Sequence, residues 1–181
     1  LLLSQLELPV SKVITSEIEH NSVFLSTIEF AKKHNIERIV LKREEDGSIS
    51  LENDFSKALV VINAASNIDG RRLENIKELV KKVKKYGGFV IIDAAQALGS
   101  NYELLQKVPA DAIISSAHKM YSASLGIMIV RKDFVKFVKT SFVGGGMVSG
   151  VSKESYEVLG GEHIHALFEP GLQAWGEIIA L

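Results

Sequence analysis

Six short segments of the chain, most of them apolar on both faces, constrain its fold more than any other feature. They are Lys12–Thr15, Arg38–Lys42, Leu59–Asn63, Phe89–Asp93, Ala112–Ser115 and Ile127–Val130, and all are rich in β-branched residues. A strand with one face in water alternates apolar and polar side chains, whereas a strand apolar on both faces needs cover on both. Amphipathic stretches between the strands supply that cover. The clearest are Val23–His34 and Leu73–Tyr86. The second, LENIKELVKKVKKY, places Leu73, Ile76, Leu79, Val80 and Val83 on one face and lysines on the other. Lys84 and Lys85 suit the negative end of the helix dipole, and Gly87-Gly88 ends the helix. Asp46-Gly47 marks a turn after the second strand. The pattern predicts an α/β fold, a mainly parallel sheet flanked by helices on both faces. Ligands of such sheets sit at the carboxyl ends of the strands, so chemistry is expected just after Asn63, Asp93 and Ser115.

Bulk properties narrow the function. The 181 residues suit one domain, and 46% hydrophobic residues provide for a sizeable core. Lys and Arg number 21 against 22 Asp and Glu, a net charge of −1 that gives no support to a nucleic-acid or anionic-membrane partner. No apolar run reaches the length of a membrane span. The absence of cysteine rules out disulfides, thiolate metal sites and a cysteine nucleophile on this chain, and fits a cytoplasmic location. Leu1-Leu2-Leu3 lacks the basic leader and cleavage site of a signal peptide and resembles the tail of an apolar helix. Trp175–Leu181 runs through an apolar pattern without a stop signal. Both ends are expected to be surfaces meant for further chain, and the piece alone to be poorly soluble or weakly folded.

Polar groups cluster at the three expected strand ends: Ser66-Asn67-Ile68-Asp69-Gly70, Asp93-Ala94-Ala95-Gln96, and Ser115-Ser116-Ala117-His118-Lys119. A carboxylate ending a buried strand is costly unless paired. Asp93 therefore caps the next helix, pairs with a cation, or faces a protonated ring nitrogen. Lys119 follows a buried strand, and a desolvated lysine beside other cationic groups has a lowered pKa and becomes a nucleophile or imine former. An Asp on one strand end with a Lys on another suits a pyridoxal phosphate (PLP) enzyme.

With these residues the chain resembles the class V aminotransferase group of PLP-dependent fold type I enzymes, and among them the cysteine desulfurases. The matching stretches are Thr15–Ser22, Ser66–Gly70, Asp93–Gln96 and Ser115–Tyr121. Gly144-Gly145-Gly146-Met147 and Phe168-Glu169-Pro170-Gly171 match more weakly. The resemblance implies that Lys119 holds PLP covalently and shuttles the Cα proton, and that Asp93 partners the pyridine nitrogen. It implies that His20 lies on the ring and assists proton transfer, that Gln96 and Asn67 hydrogen-bond the phenolic oxygen, and that Ser116 and His118 donate to the phosphate. Each has a plainer alternative: Asn67 in a turn, Gln96 at a helix start, His20 half-buried, Ser116 and His118 satisfied by backbone.

The resemblance further implies that residues 1–181 are a PLP-binding large domain, incomplete at both ends and without the C-terminal small domain. The implied activity converts L-cysteine to L-alanine and passes sulfur to an enzyme cysteine outside this segment. A small amino-acid substrate, a homodimer, a sulfur-acceptor protein and a role in iron–sulfur cluster assembly follow from it. Another class V activity (selenocysteine lyase, aminotransferase or epimerase) is the alternative, as is a non-catalytic dimerisation or scaffold protein. Two departures motivate the last reading. Ser122–Gly126 replaces the family's Gly-Pro-containing loop, and Leu172 stands where the family has a Thr that reaches the neighbouring subunit's phosphate. His163 and His165 lack a third ligand in view and read as surface residues, with no metal expected. His34 reads as a helix-end cation.

Overall fold

The computed structural model of the chain describes residues 2–140, 142–159 and 168–181. Its centre is a six-stranded sheet built from β1 (Lys12–Ser16), β2 (Glu37–Leu41), β3 (Ala58–Asn63), β4 (Phe89–Asp93), β5 (Ala112–Ser116) and β6 (Gly126–Val130). The spatial order is β2-β1-β3-β4-β5-β6. The first five strands are mutually parallel and β6 runs antiparallel to β5, with Ser116 opposite Gly126. Every residue of β1 and β3 is buried, whereas the edge strands β2 and β6 are only partly covered.

The period of two in each strand sorts side chains onto two cores. Ile14, Val60, Ile62, Val90, Ile92 and Ile113 point into one core, with Phe55 and α3 (Ile76–Lys85). Val13, Leu59, Val61, Ile91 and Ala112 point into the other, with α1 (Leu2–Gln5), α2 (Asn21–His34) and Phe134. Leu2 and Leu3 are therefore packed within this chain, contrary to the expectation that they form a surface for further residues. α5 (Trp175–Ala180) is a short helix with no buried residue. No helix among the described residues is long and apolar enough to cross a membrane.

The apolar face of α3 is the predicted one, Ile76, Leu79, Val80 and Val83 being buried. The helix begins at Ile76 rather than Leu73 because the preceding residues are already bonded. Leu73 N–H donates to Ala64 O at 2.9 Å, Arg72 pairs with Ala65, and the Asn75 side chain bonds both backbone groups of Ile49. Leu79 is fully enclosed between α3 and the sheet. Leu79→Ala is expected to lower stability by about 2–5 kcal/mol, read as a lower urea midpoint at unchanged slope.

Candidate active site

A cavity of about 260 Å³ opens at the carboxyl ends of β3, β4 and β5. Six of the seven predicted residues line it: His20, Asn67, Asp93, Gln96, Ser116 and Lys119. The seventh, His118, lies on the 3₁₀ turn Ala117–Met120, exposed and outside the lining. Register explains the convergence. Asn63 pairs with Asp93, and Asp93 with Ile114, so β3 and β4 end at one level, β5 runs two residues further, and their following loops share one rim.

Each loop holds its residue in a definable way. Asp93 Oδ1 accepts the Ala95 N–H at 2.9 Å, so the carboxylate caps the turn that carries Gln96, and it has no ion-pair partner among the described residues. The turn around Asn67 is closed by other side chains. Ser66 Oγ accepts the Ile68 N–H and Asp69 Oδ1 accepts the Arg71 N–H, leaving the Asn67 side chain without a hydrogen bond among the described residues. The Ser116 hydroxyl likewise has none there, and Asn67 stands in the turn 67–69, as its plainer alternative has it.

His20 is the N-cap of α2: its Nδ1 accepts the Ser22 N–H at 3.2 Å and lies 2.8 Å from Ser22 Oγ. Lys119 is exposed rather than desolvated, contrary to expectation, because β5 gives way to the 3₁₀ turn before it. Its amine has no ion-pair partner among the described residues. Gly99 packs against this turn so closely that a Cβ there would stand 3.0 Å from Lys119 O. Tyr121 ends the turn in the left-handed region at φ 61°, an uncommon conformation for a bulky residue.

A buried charged network behind the cavity escapes sequence reading. Glu19, next to His20, receives a hydrogen bond from Ser16 Oγ and accepts the Asn63 N–H at 2.8 Å. Arg43 donates from Nη2 to Asn63 O at 2.8 Å and to Asn63 Oδ1 at 2.7 Å, and from Nη1 to Gly47 O at 2.9 Å. Its Nη2 stands 3.9 Å from Glu19 Oε1, and both side chains are almost wholly enclosed. Burial pushes the Glu19 carboxyl up to about 7 from 4.5, against the hydrogen bond from Ser16 and the Arg43 charge, and the charge of Asp93 adds to the rise. Burial likewise lowers Arg43.

A folded-state pKa above the unfolded value stabilises the fold fully below about pH 4.5 and loses that contribution as pH rises through about 7. The amount is about 3 kcal/mol. Wild type is thus expected to lose about that much stability relative to Glu19→Gln across this range, measured by urea unfolding at several pH values. A constant difference between the two proteins would contradict it.

The two weaker motifs also meet. Gly171 N–H donates to Gly145 O at 2.6 Å, and Gly144 packs on Pro170 so closely that a Cβ there would lie 2.9 Å from it. Neither segment lines the cavity, and Leu172 is 93% exposed. The loop Ser122–Gly126 folds back so that Ala117 N–H donates to Leu125 O. Among the described residues no group of three or more His, Asp or Glu side chains could hold a metal, and His163 and His165 lie outside those residues. His34 ends α2 as expected, its ring 4.4 Å from that of Phe30.

The family described as aminotransferase class-V matches residues 3–181. A probable cysteine desulfurase of Pyrococcus abyssi is 28% identical over 153 residues, which cover 81% of this chain and 38% of that protein. The apo structure of a cysteine desulfurase from Thermococcus onnurineus NA1 superimposes with a TM-score of 0.87 at 26% identity, over 98% of this chain and 46% of that one. The structure of C-DES with glycine covalently linked to its PLP cofactor superimposes at 0.75 with 16% identity, over 97% of this chain and 49% of that one, a likeness of fold.

Proposed function

We propose, because the chain belongs to the class-V aminotransferase family, that it forms the PLP-binding large domain of a cysteine desulfurase. The carrying observation is the cavity where the Lys119 amine and the Asp93 carboxylate face the same space, each without an ionic partner among the described residues. The donor set fits PLP. The ring nitrogen asks for a carboxylate, the aldehyde for an amine, and the remaining oxygens for neutral donors such as Asn67, Gln96 and Ser116, whose groups border the cavity.

When bound, PLP supplies an electron sink for charge developed at the substrate Cα. Asp93 would hold the proton on the ring nitrogen. Lys119 would anchor the cofactor through Nζ, yield that position to the substrate amine, and then carry the Cα proton. His20, fixed at the start of α2, would border the ring. His118 reaches the phosphate only if the exposed turn closes inward.

The substrate of this reading is L-cysteine. Its sulfur passes to a cysteine thiolate of the enzyme as a persulfide, with alanine released. This chain contains no cysteine, so that thiolate belongs to another part of the protein. A homodimer, a cytoplasmic location and delivery of sulfur to an acceptor that serves iron–sulfur assembly complete the reading. The test is to add PLP to the purified protein, reduce with borohydride and map the modified peptide. The expected result is a coloured full-length protein that releases alanine from cysteine before reduction and carries the label at Lys119 after it. A colourless, unlabelled protein would sink the proposal.

A further inference from the structure

The Glu19–Arg43–Asn63 network does more than fill the space between two strands. Arg43 follows β2 at the edge of the sheet and does not line the cavity. It reaches inward past β1 to grip both oxygens of Asn63 at the end of β3. Glu19 closes the ring from the β1 side through the Asn63 N–H and Ser16. Asn63 Nδ2 donates in turn to Ile18 O at 2.6 Å, so the β1–α2 loop is bound to β3 at both Ile18 and Glu19. Three groups of the cavity depend on these bonds. His20 is the next residue after Glu19, Asn63 itself lines the cavity, and Asp93 is the register partner of Asn63, with Ala64 N–H donating to Asp93 O at 2.8 Å.

We infer that Glu19 and Arg43 are positioning residues, which fix the β1–α2 loop on the end of β3 and thereby set His20 on the cavity that Asp93 also lines. Two nearly buried charged side chains are a costly way to join strands that an apolar pair would join as well. Their bonds end on backbone groups of Asn63 and Gly47, which an apolar side chain could not hold. The inference rests on the proposed PLP site for its functional meaning, but the placement of His20 is testable without the cofactor.

The experiment compares wild type with Glu19→Ala, Arg43→Met and Glu19→Gln. The first two remove the bonds to Asn63. The third keeps an oxygen for the Asn63 N–H and an amide that can donate to Ser16 Oγ. Two readouts are taken well below each melting temperature: the NMR resonance of the His20 ring in cofactor-free protein, with His34 at the far end of α2 as control, and the PLP dissociation constant by absorbance.

Glu19→Ala and Arg43→Met are expected to shift the His20 signal and not that of His34, and to weaken PLP about tenfold, the effect of one charge-assisted hydrogen bond. Glu19→Gln is expected to behave as wild type in both. A His20 signal unmoved in Glu19→Ala and Arg43→Met would overturn the inference, and so would an unchanged PLP affinity with only the melting temperature lowered. If one variant does not fold, the other is read in the same way. A wild type that takes up no PLP would defeat the proposed function instead, and the His20 resonance would still decide the positioning role.

Discussion

Lys119→Ala is expected to abolish the visible colour of the PLP-loaded protein and to lower the turnover of cysteine by about 10⁴-fold, the upper range for loss of a positioned proton carrier. Lys119 is the amine that borders the cavity, on a turn whose approach to the neighbouring loop depends on Gly99. Its neighbour His118 cannot replace it, being an imidazole outside the lining. Stability should change little, because the side chain is exposed and forms no ion pair among the described residues. The decisive comparison is absorbance and alanine release at matched protein folding, checked by thermal melt. A coloured, active Lys119→Ala protein would place the anchoring amine elsewhere.

The second large effect is expected from Asp93→Asn. The amide oxygen can still accept the Ala95 N–H, so the turn after β4 and the sheet register survive. Only the charge is lost. An ionic partner removed from a partly enclosed site costs about 3 kcal/mol, which is about two orders of magnitude in rate or affinity. The loss should appear in kcat together with PLP affinity, while the melting temperature of cofactor-free protein stays close to wild type. If the cofactor-free melt falls as far as activity does, Asp93 is a structural cap and no more.

Much of this molecule is legible in its sequence, and the remainder is hidden for identifiable reasons. The six strands and both long helices fall within a few residues of their predicted limits, because burial on both faces leaves strand runs without interruption. The antiparallel direction of β6 is not encoded in its composition, since an apolar strand reads the same either way. The hairpin β7 (Val148–Val151) and β8 (Tyr156–Val158) carries Gly and Ser amid weak alternation and no tight-turn dipeptide, so no strand signal rises there. At the site, small residues and polar groups after three strands were enough to bring Asp93 and Lys119 together. Glu19 and Arg43 stayed hidden because charged side chains are ordinarily solvated. The one available signal was the position of Glu19 between a buried strand and His20. The exposure of Lys119 was invisible because burial of β5 does not dictate the turn that follows it.

The rim of the cavity draws on positions 20, 67, 93 and 119, each separated from the next by one or two connections between parallel strands. No two of them are brought near by local structure alone. During folding, loop closures over tens of residues must precede any such meeting, and topologies of that kind fold slowly. The binding pocket therefore exists only once the parallel strands are assembled, and is lost when the sheet parts. A ligand that requires all four positions at once binds the native state and not its precursors, so it raises the apparent stability by mass action. Its uptake serves as a clock for the completion of folding.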